Sequence, residues 1–159
     1  MKLFELFDKQ NLADVTITRD TKHQVHGTFD DPDGNEYHVY INYTASPGDH
    51  PDDDGPRNSW TVSFDTEHDG QSTDKAIGGR RALPIFGTVF NLVLKVIRDR
   101  KIDEIWFEAS SAEKSRVRLY RRLAGAVAKR LGWKVKEVPA AAITFIVTDP
   151  AFSQDRWHM

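Results

Sequence analysis

The chain contains no cysteine, which removes a thiolate nucleophile, a thiolate metal ligand and any disulfide framework. Chemistry must therefore come from carboxylates, imidazoles, hydroxyls and cations. Asp52, Asp53 and Asp54 form the densest carboxylate group, of the kind a hard cation such as Mg²⁺ takes up. They lie in Ser46–Asn58, which also holds three prolines and two glycines. Three consecutive acids cannot all converge without a tight fold, so this stretch reads as a solvated loop. Asp31-Pro32-Asp33-Gly34-Asn35 fails the spacing of a calcium loop and reads as a hairpin turn, with Pro, Asp and Gly where a turn wants them. His23, His26 and His38 fall on or beside strand-like stretches. His23 and His26 do not share a strand face and no carboxylate spacing accompanies them, so no metal site is assigned. Lys114, Arg118, Arg121, Arg122 and Lys129 share the polar face of a basic helix, where phosphates of a nucleic acid could bind with steep salt dependence. No recognition motif accompanies them, and the net charge of −2 opposes that reading.

These groups are positioned by elements that periodicity marks out. From Ile85 to Lys101 the apolar residues Ile85, Phe86, Val89, Phe90, Val93, Val96 and Ile97 recur at helical spacing, widened by Leu92 and Leu94. Arg98, Arg100 and Lys101 close that helix where cations favour the negative end of the dipole. IDEIWFEAS then alternates, with Ile105, Phe107 and Ala109 on one face and Trp106 and Glu108 on the other. A second helix follows from about Lys114, with Ser110 or Ser111 as N-cap. Its stripe is Val117, Tyr120, Leu123, Ala124, Val127 and Leu131, and Gly132 ends it.

Ahead of this core, residues 2–10 suggest a short helix, and 15–29 and 36–44 are strands on either side of the turn. Residues 59–67 make a third strand, with Trp60, Val62 and Phe64 opposite Thr61, Ser63 and Asp65. WKVKEV and 142–149 form a closing antiparallel pair, and the tail from 150 to 159 has no periodicity. The expected fold is a single α+β (α/β) domain: a mixed, mainly antiparallel sheet of about six strands, two main helices and a short N-terminal helix. One domain of 159 residues, 39% hydrophobic, can bury a proper core.

Charge is unevenly spread. Residues 76–137 carry 15 basic and 6 acidic side chains, whereas 46–75 carry 2 and 8, an asymmetry able to draw an anionic ligand to one face. No stretch reaches membrane-spanning length and the N-terminus lacks a signal-peptide core, so a cytoplasmic protein is expected, with no membrane partner.

The order helix, three meandering strands, helix, strand, helix, two strands resembles the later two-thirds of the GNAT N-acetyltransferase superfamily, across about residues 15–149. Two patches bring it closest to small GNAT-like proteins of bacteriophages: Ile85-Phe86-Gly87-Thr88-Val89, and Ser115 to Ala124 (SRVRLYRRLA). The resemblance implies an acetyl-CoA cofactor and an amine acceptor on a small molecule or a protein. It implies that the backbone of Val62, Ser63 and Phe64, running on to Asp65, pairs with the pantetheine arm. Arg80, Arg81, Gly87 and Thr88 would then lie at a helix entrance that takes the pyrophosphate. Tyr120 would protonate the leaving thiolate, and Asp65, Glu67 or Glu108 would accept the proton of the amine. The family's Gln/Arg-x-x-Gly-x-Gly/Ala loop corresponds here to Arg81-Ala82-Leu83-Pro84-Ile85-Phe86. The arginine is kept; Pro84 and Phe86 replace the small residues. That mismatch admits an alternative: a catalytically inactive GNAT-like phage protein that engages a host or virion protein, in the host cytoplasm.

Overall fold

The computed structural model describes residues 14–31, 34–44, 58–66 and 82–150. The expected N-terminal helix, the aspartate-rich loop, Glu67, Arg80, Arg81 and the tail beyond Pro150 lie outside them.

Among the described residues seven strands form one mixed sheet: β1 (Thr16–Thr21), β2 (Gln24–Asp30), β3 (Glu36–Tyr43), β4 (Ser59–Thr66), β5 (Glu104–Ser110), β6 (Lys134–Val138) and β7 (Ala142–Thr148). Two helices, α1 (Ala82–Arg100) and α2 (Lys114–Leu131), flank β5 in the chain. The spatial order is β1-β2-β3-β4-β5-β7-β6, and only β4 and β5 run parallel. The domain is thus mixed α+β, as expected, with one strand more than the sequence suggested.

The extra strand comes from residues 15–29, which fold back at Lys22-His23 with Thr21 opposite Gln24. No glycine, proline, asparagine or aspartate occupies that turn, and neither residue takes a positive φ, so the usual local signal is missing. A distant residue holds it instead. Arg100 Nη1 donates to the carbonyls of Thr21 (2.8 Å) and Lys22 (3.3 Å), and its other amino group pairs with Asp20. The Asp31 turn is local by contrast: Asp31 Oδ1 accepts from the Asn35 N–H at 2.9 Å, and Gly34 supplies φ +84°.

Alternation sets the inner face. Val25 and Phe29, then Tyr37, Val39 and Ile41, then Trp60, Val62 and Phe64 lie side by side in register. Ile105 and Phe107, then Val147 and Phe145, continue the row across β5 and β7. Every one of them is buried, and both helices contribute to the same core. Burial at about 25 cal/mol per Å² of apolar surface makes this layer the main source of stability. The stripe expected on α1 is buried, and Leu92 with it, while Leu94 is half-buried. On α2 the stripe runs through Val117, Tyr120, Leu123, Ala124 and Val127, but Leu131 is exposed, because the stripe drifts off the core as α2 reaches its end at Gly132 (φ 71°). The N-cap is neither Ser110 nor Ser111. Ser110 still pairs in β5 with Ala142, so α2 begins after a further turn and Glu113 takes the cap without a side-chain bond.

The two outer strands differ from the rest. β1 is exposed along its length and its register slips between Ile17 and Arg19; β6 is exposed at all five positions.

Two glycines separate packing from propensity. A Cβ at Gly27 would meet Val15 Cγ1 at 2.8 Å and Leu92 Cδ2 at 3.3 Å, whereas one at Gly125, mid-α2, would meet nothing within 4 Å. Gly27→Ala is therefore expected to destabilise by about 1–3 kcal/mol, and Gly125→Ala to stabilise by about 0.5–1 kcal/mol. Urea denaturation of the two variants checks both signs.

Candidate active site

The parallel pairing of β4 with β5 covers only Ser59 to Val62 against Glu104 to Phe107. Beyond it β4 stays paired with β3 through Thr66, and β5 stays paired with β7 through Ser110. The two strands thus part while each keeps its outer neighbour, leaving a fork whose inner edges have no strand partner among the described residues.

The closed end is held firmly. Asn58 Nδ2 donates to the carbonyls of Arg100 and Lys101, both at 3.0 Å. The Asn58 carbonyl accepts from the N–H groups of Asp103 (3.0 Å) and Glu104 (3.3 Å), and its side-chain oxygen accepts from Trp60 Nε1 at 2.8 Å. Lys101 takes φ 53° to make this turn. Glu104, wholly buried, accepts from Ser59 Oγ (3.0 Å), Trp106 Nε1 and Thr148 Oγ1 (3.3 Å). One carboxylate therefore ties together three strands, β4, β5 and β7.

Tyr120 fills the angle of the fork from the helix side. Its ring lies between Phe64 (centroids 6.0 Å apart) and Phe107 (5.6 Å), one on each diverging strand. The Phe64 N–H donates to the Tyr120 hydroxyl at 3.2 Å. Burial pushes the Tyr120 phenol above its ordinary value; the Phe64 N–H and the Arg116 guanidinium oppose this, and Asp65 and Glu113 reinforce it. The phenol is therefore held as the protonated acid, with one lone pair committed to Phe64.

The remaining expected site residues divide by position. Val62 is the last paired residue, Ser63 is exposed and Asp65 half-buried on the outer face of β4. Glu108 is exposed on the outer face of β5. The fork thus carries a phenol on its inner side and a carboxylate on the outer face of each lip. Gly87 and Thr88 lie in the second turn of α1, past the first four N–H groups, which lack helical acceptors. Thr88 lines a groove with Asp14, Val15, Asn91, Leu92 and Lys95 on the β1 side. Phe86 is buried against Phe90 with the Arg122 guanidinium 5.4 Å from its ring centroid.

Arg116 was not visible as a site residue. It lies one turn before Tyr120 and pairs with Glu113 at 3.2 Å; the i to i+4 spacing from Arg116 to Tyr120 was the available signal. Of the basic helix face, Arg121 is bound by Glu137 through two contacts of 3.0 and 3.1 Å. Among the described residues no group of three or more histidines or acids is placed to hold a metal, and no helix is long and apolar enough to cross a membrane.

Burial also pushes the Tyr37 phenol up to about 12, aided by Asp31. Both raised phenols stay protonated in the native chain while the unfolded chain ionises near 10.0. Stability is then fully present below pH 10 and falls as pH climbs from 10 toward 12. Denaturation midpoints measured across that window should drop, and less steeply in Tyr37→Phe. A flat profile contradicts the assignment. Tyr120→Phe at pH 7 leaves the Phe64 N–H without its acceptor and is expected to cost about 1–3 kcal/mol.

Comparison of the sequence with protein-family models and with curated proteins returned no match; function must be read from the site itself.

Proposed function

We propose that the protein is an acyl-CoA-dependent N-acyltransferase-like protein of the GNAT type, moving an acetyl group from acetyl-CoA to an amine of a small molecule or protein. The observation that supports this reading is the fork, with Tyr120 seated at its angle. An extended pantetheine-like arm needs strand backbone without a strand partner, and among the described residues the inner edges of Ser63–Thr66 and Glu108–Ser110 offer it, with the Phe64 N–H held by Tyr120. A thioester lying along that edge brings its sulfur toward the phenol. Transfer forms a bond from the amine nitrogen to the acyl carbon and breaks the carbon–sulfur bond. Tyr120 gives its proton to the departing thiolate, and Asp65 or Glu108, on the outer lips, takes the proton from nitrogen. Burial keeps the Tyr120 phenol protonated, the state a proton donor must hold before transfer. The basic excess of residues 76–137 suits a phosphorylated cofactor.

A second reading has its own support. Tyr120 is 1% exposed and its hydroxyl occupies the Phe64 N–H, the amide a pantetheine arm would use. Pro84 leaves the first turn of α1 one donor short, and Phe86 is packed into the core. A catalytically inactive protein that engages a host or virion protein would keep such a fork closed.

Thermal melting with millimolar acetyl-CoA separates the two. Binding at about 100 times Kd adds about 2.7 kcal/mol, which for a domain of this size raises Tm by roughly 5–10 °C. An unchanged Tm rules out the transferase. If binding is seen, Tyr120→Phe should lower kcat for thiol release by about 10²-fold or more with little change in KM.

A further inference from the structure

We propose that the outer face of the β2–β3 ladder carries a divalent transition-metal site formed by His26 and His38, with Glu36 as its supporting carboxylate. In the ladder His26 pairs with Tyr40 and His38 with Thr28, so the two imidazoles are diagonal neighbours on one face. His26 Nε2 and His38 Nδ1 stand 2.9 Å apart. The other nitrogen of His38, Nε2, stands 2.8 Å from Glu36 Oε1. With the His38 proton on Nε2, beside that carboxylate, the Nδ1 lone pair is turned toward His26.

A carboxylate behind one ring, orienting it and raising its basicity, is the recurring support of a metal-bound histidine. Tyr40 stacks on the His26 ring (4.3 Å, 21°) and restricts its rotation. With metal–imidazole bonds of about 2.0–2.1 Å, nitrogens 2.9 Å apart subtend about 90° at the ion. That angle matches adjacent positions of a tetragonal site and is tighter than a tetrahedral zinc site requires, so Cu²⁺ or Ni²⁺ fits best. The cation replaces the hydrogen bond between the rings: the His26 proton moves from Nε2 to Nδ1, so each neutral ring keeps one N–H and turns one lone pair to the ion. The pair opens on a surface depression of about 580 Å³, lined also by Thr18, Arg19, Gln24, Thr28 and Tyr40, with the Arg19 guanidinium donating to Gln24 Oε1 at 3.0 Å; water or a ligand's donor atoms complete the coordination there.

The test uses Cu²⁺ alone with the full chain. Calorimetry should find one ion per chain, and pulsed electron paramagnetic resonance should show two equatorial imidazole nitrogens. His26→Gln, at the half-buried ring, should weaken binding at least 10-fold, and Glu36→Gln about 10-fold or more. His23→Gln, whose ring rests on Tyr43, should leave affinity unchanged. Because His38 is buried and its replacement could unfold the chain, the nitrogen count on the unaltered protein stands as an independent criterion. A signal from fewer than two imidazoles, or His26→Gln binding copper as tightly as the parent, overturns the site and leaves a hydrogen-bonded histidine pair.

Discussion

The structure depends on where one parallel pairing stops. Four residue pairs join β4 to β5, and the chain invests heavily in keeping those four together. Asn58 bridges the start of β4 to the end of α1, while Glu104 gathers hydroxyl and indole donors from three strands without any exposure to water. A buried carboxylate is tolerable only when its oxygens are well supplied with donors. Past Val62 and Phe107 the strands separate, yet neither frays, because β3 and β7 continue to satisfy their outer edges. A rigid base and two rigid arms make the gap a property of the fold rather than of a loop.

What occupies that gap determines its chemistry. An aromatic ring set between Phe64 and Phe107 props the arms apart by packing, and its hydroxyl answers an amide that the divergence exposes. The same side chain thus serves as wedge, as hydrogen-bond partner and, in the proposed reaction, as acid. These roles compete: a ligand arm must displace the tyrosine oxygen from Phe64 before it can pair there. Preorganisation of the donor and accessibility of the edge are set by one contact.

Much of the architecture was legible because period and length agreed. The helical stripe of Ile85 to Ile97 and the alternation of residues 59–65 reported their buried faces correctly, whereas in 36–43 Tyr37, Val39 and Ile41 are buried together but Tyr43 is exposed and His38 is buried on the opposite face. The missed hairpin at Lys22-His23 was illegible locally, since Arg100, far along the chain, holds it. Leu131 looked like part of a stripe because spacing cannot tell where a helix leaves the core. Tyr120 and Asp65 could be named from the sequence, but their placement on opposite faces of one fork depends on β-register, which no single segment contains. His26 and His38 illustrate the same limit. Separated by a turn and judged by spacing, they suggested nothing, and only the diagonal of the β2–β3 ladder brings their nitrogens together.

The rims of the sheet bear on how the molecule behaves in company. An unpaired strand normally invites another chain to extend it. Here the β1 rim is kinked by its slipped register, and the β6 rim places Lys134, Lys136 and Glu137 along a strand of five residues. A kink spoils the template, and solvated charge penalises the stacking of one copy against the next. Both rims thus discourage end-to-end polymerisation, so a seven-stranded sheet can keep a cleft between two parting strands in its interior and still present guarded borders to its neighbours.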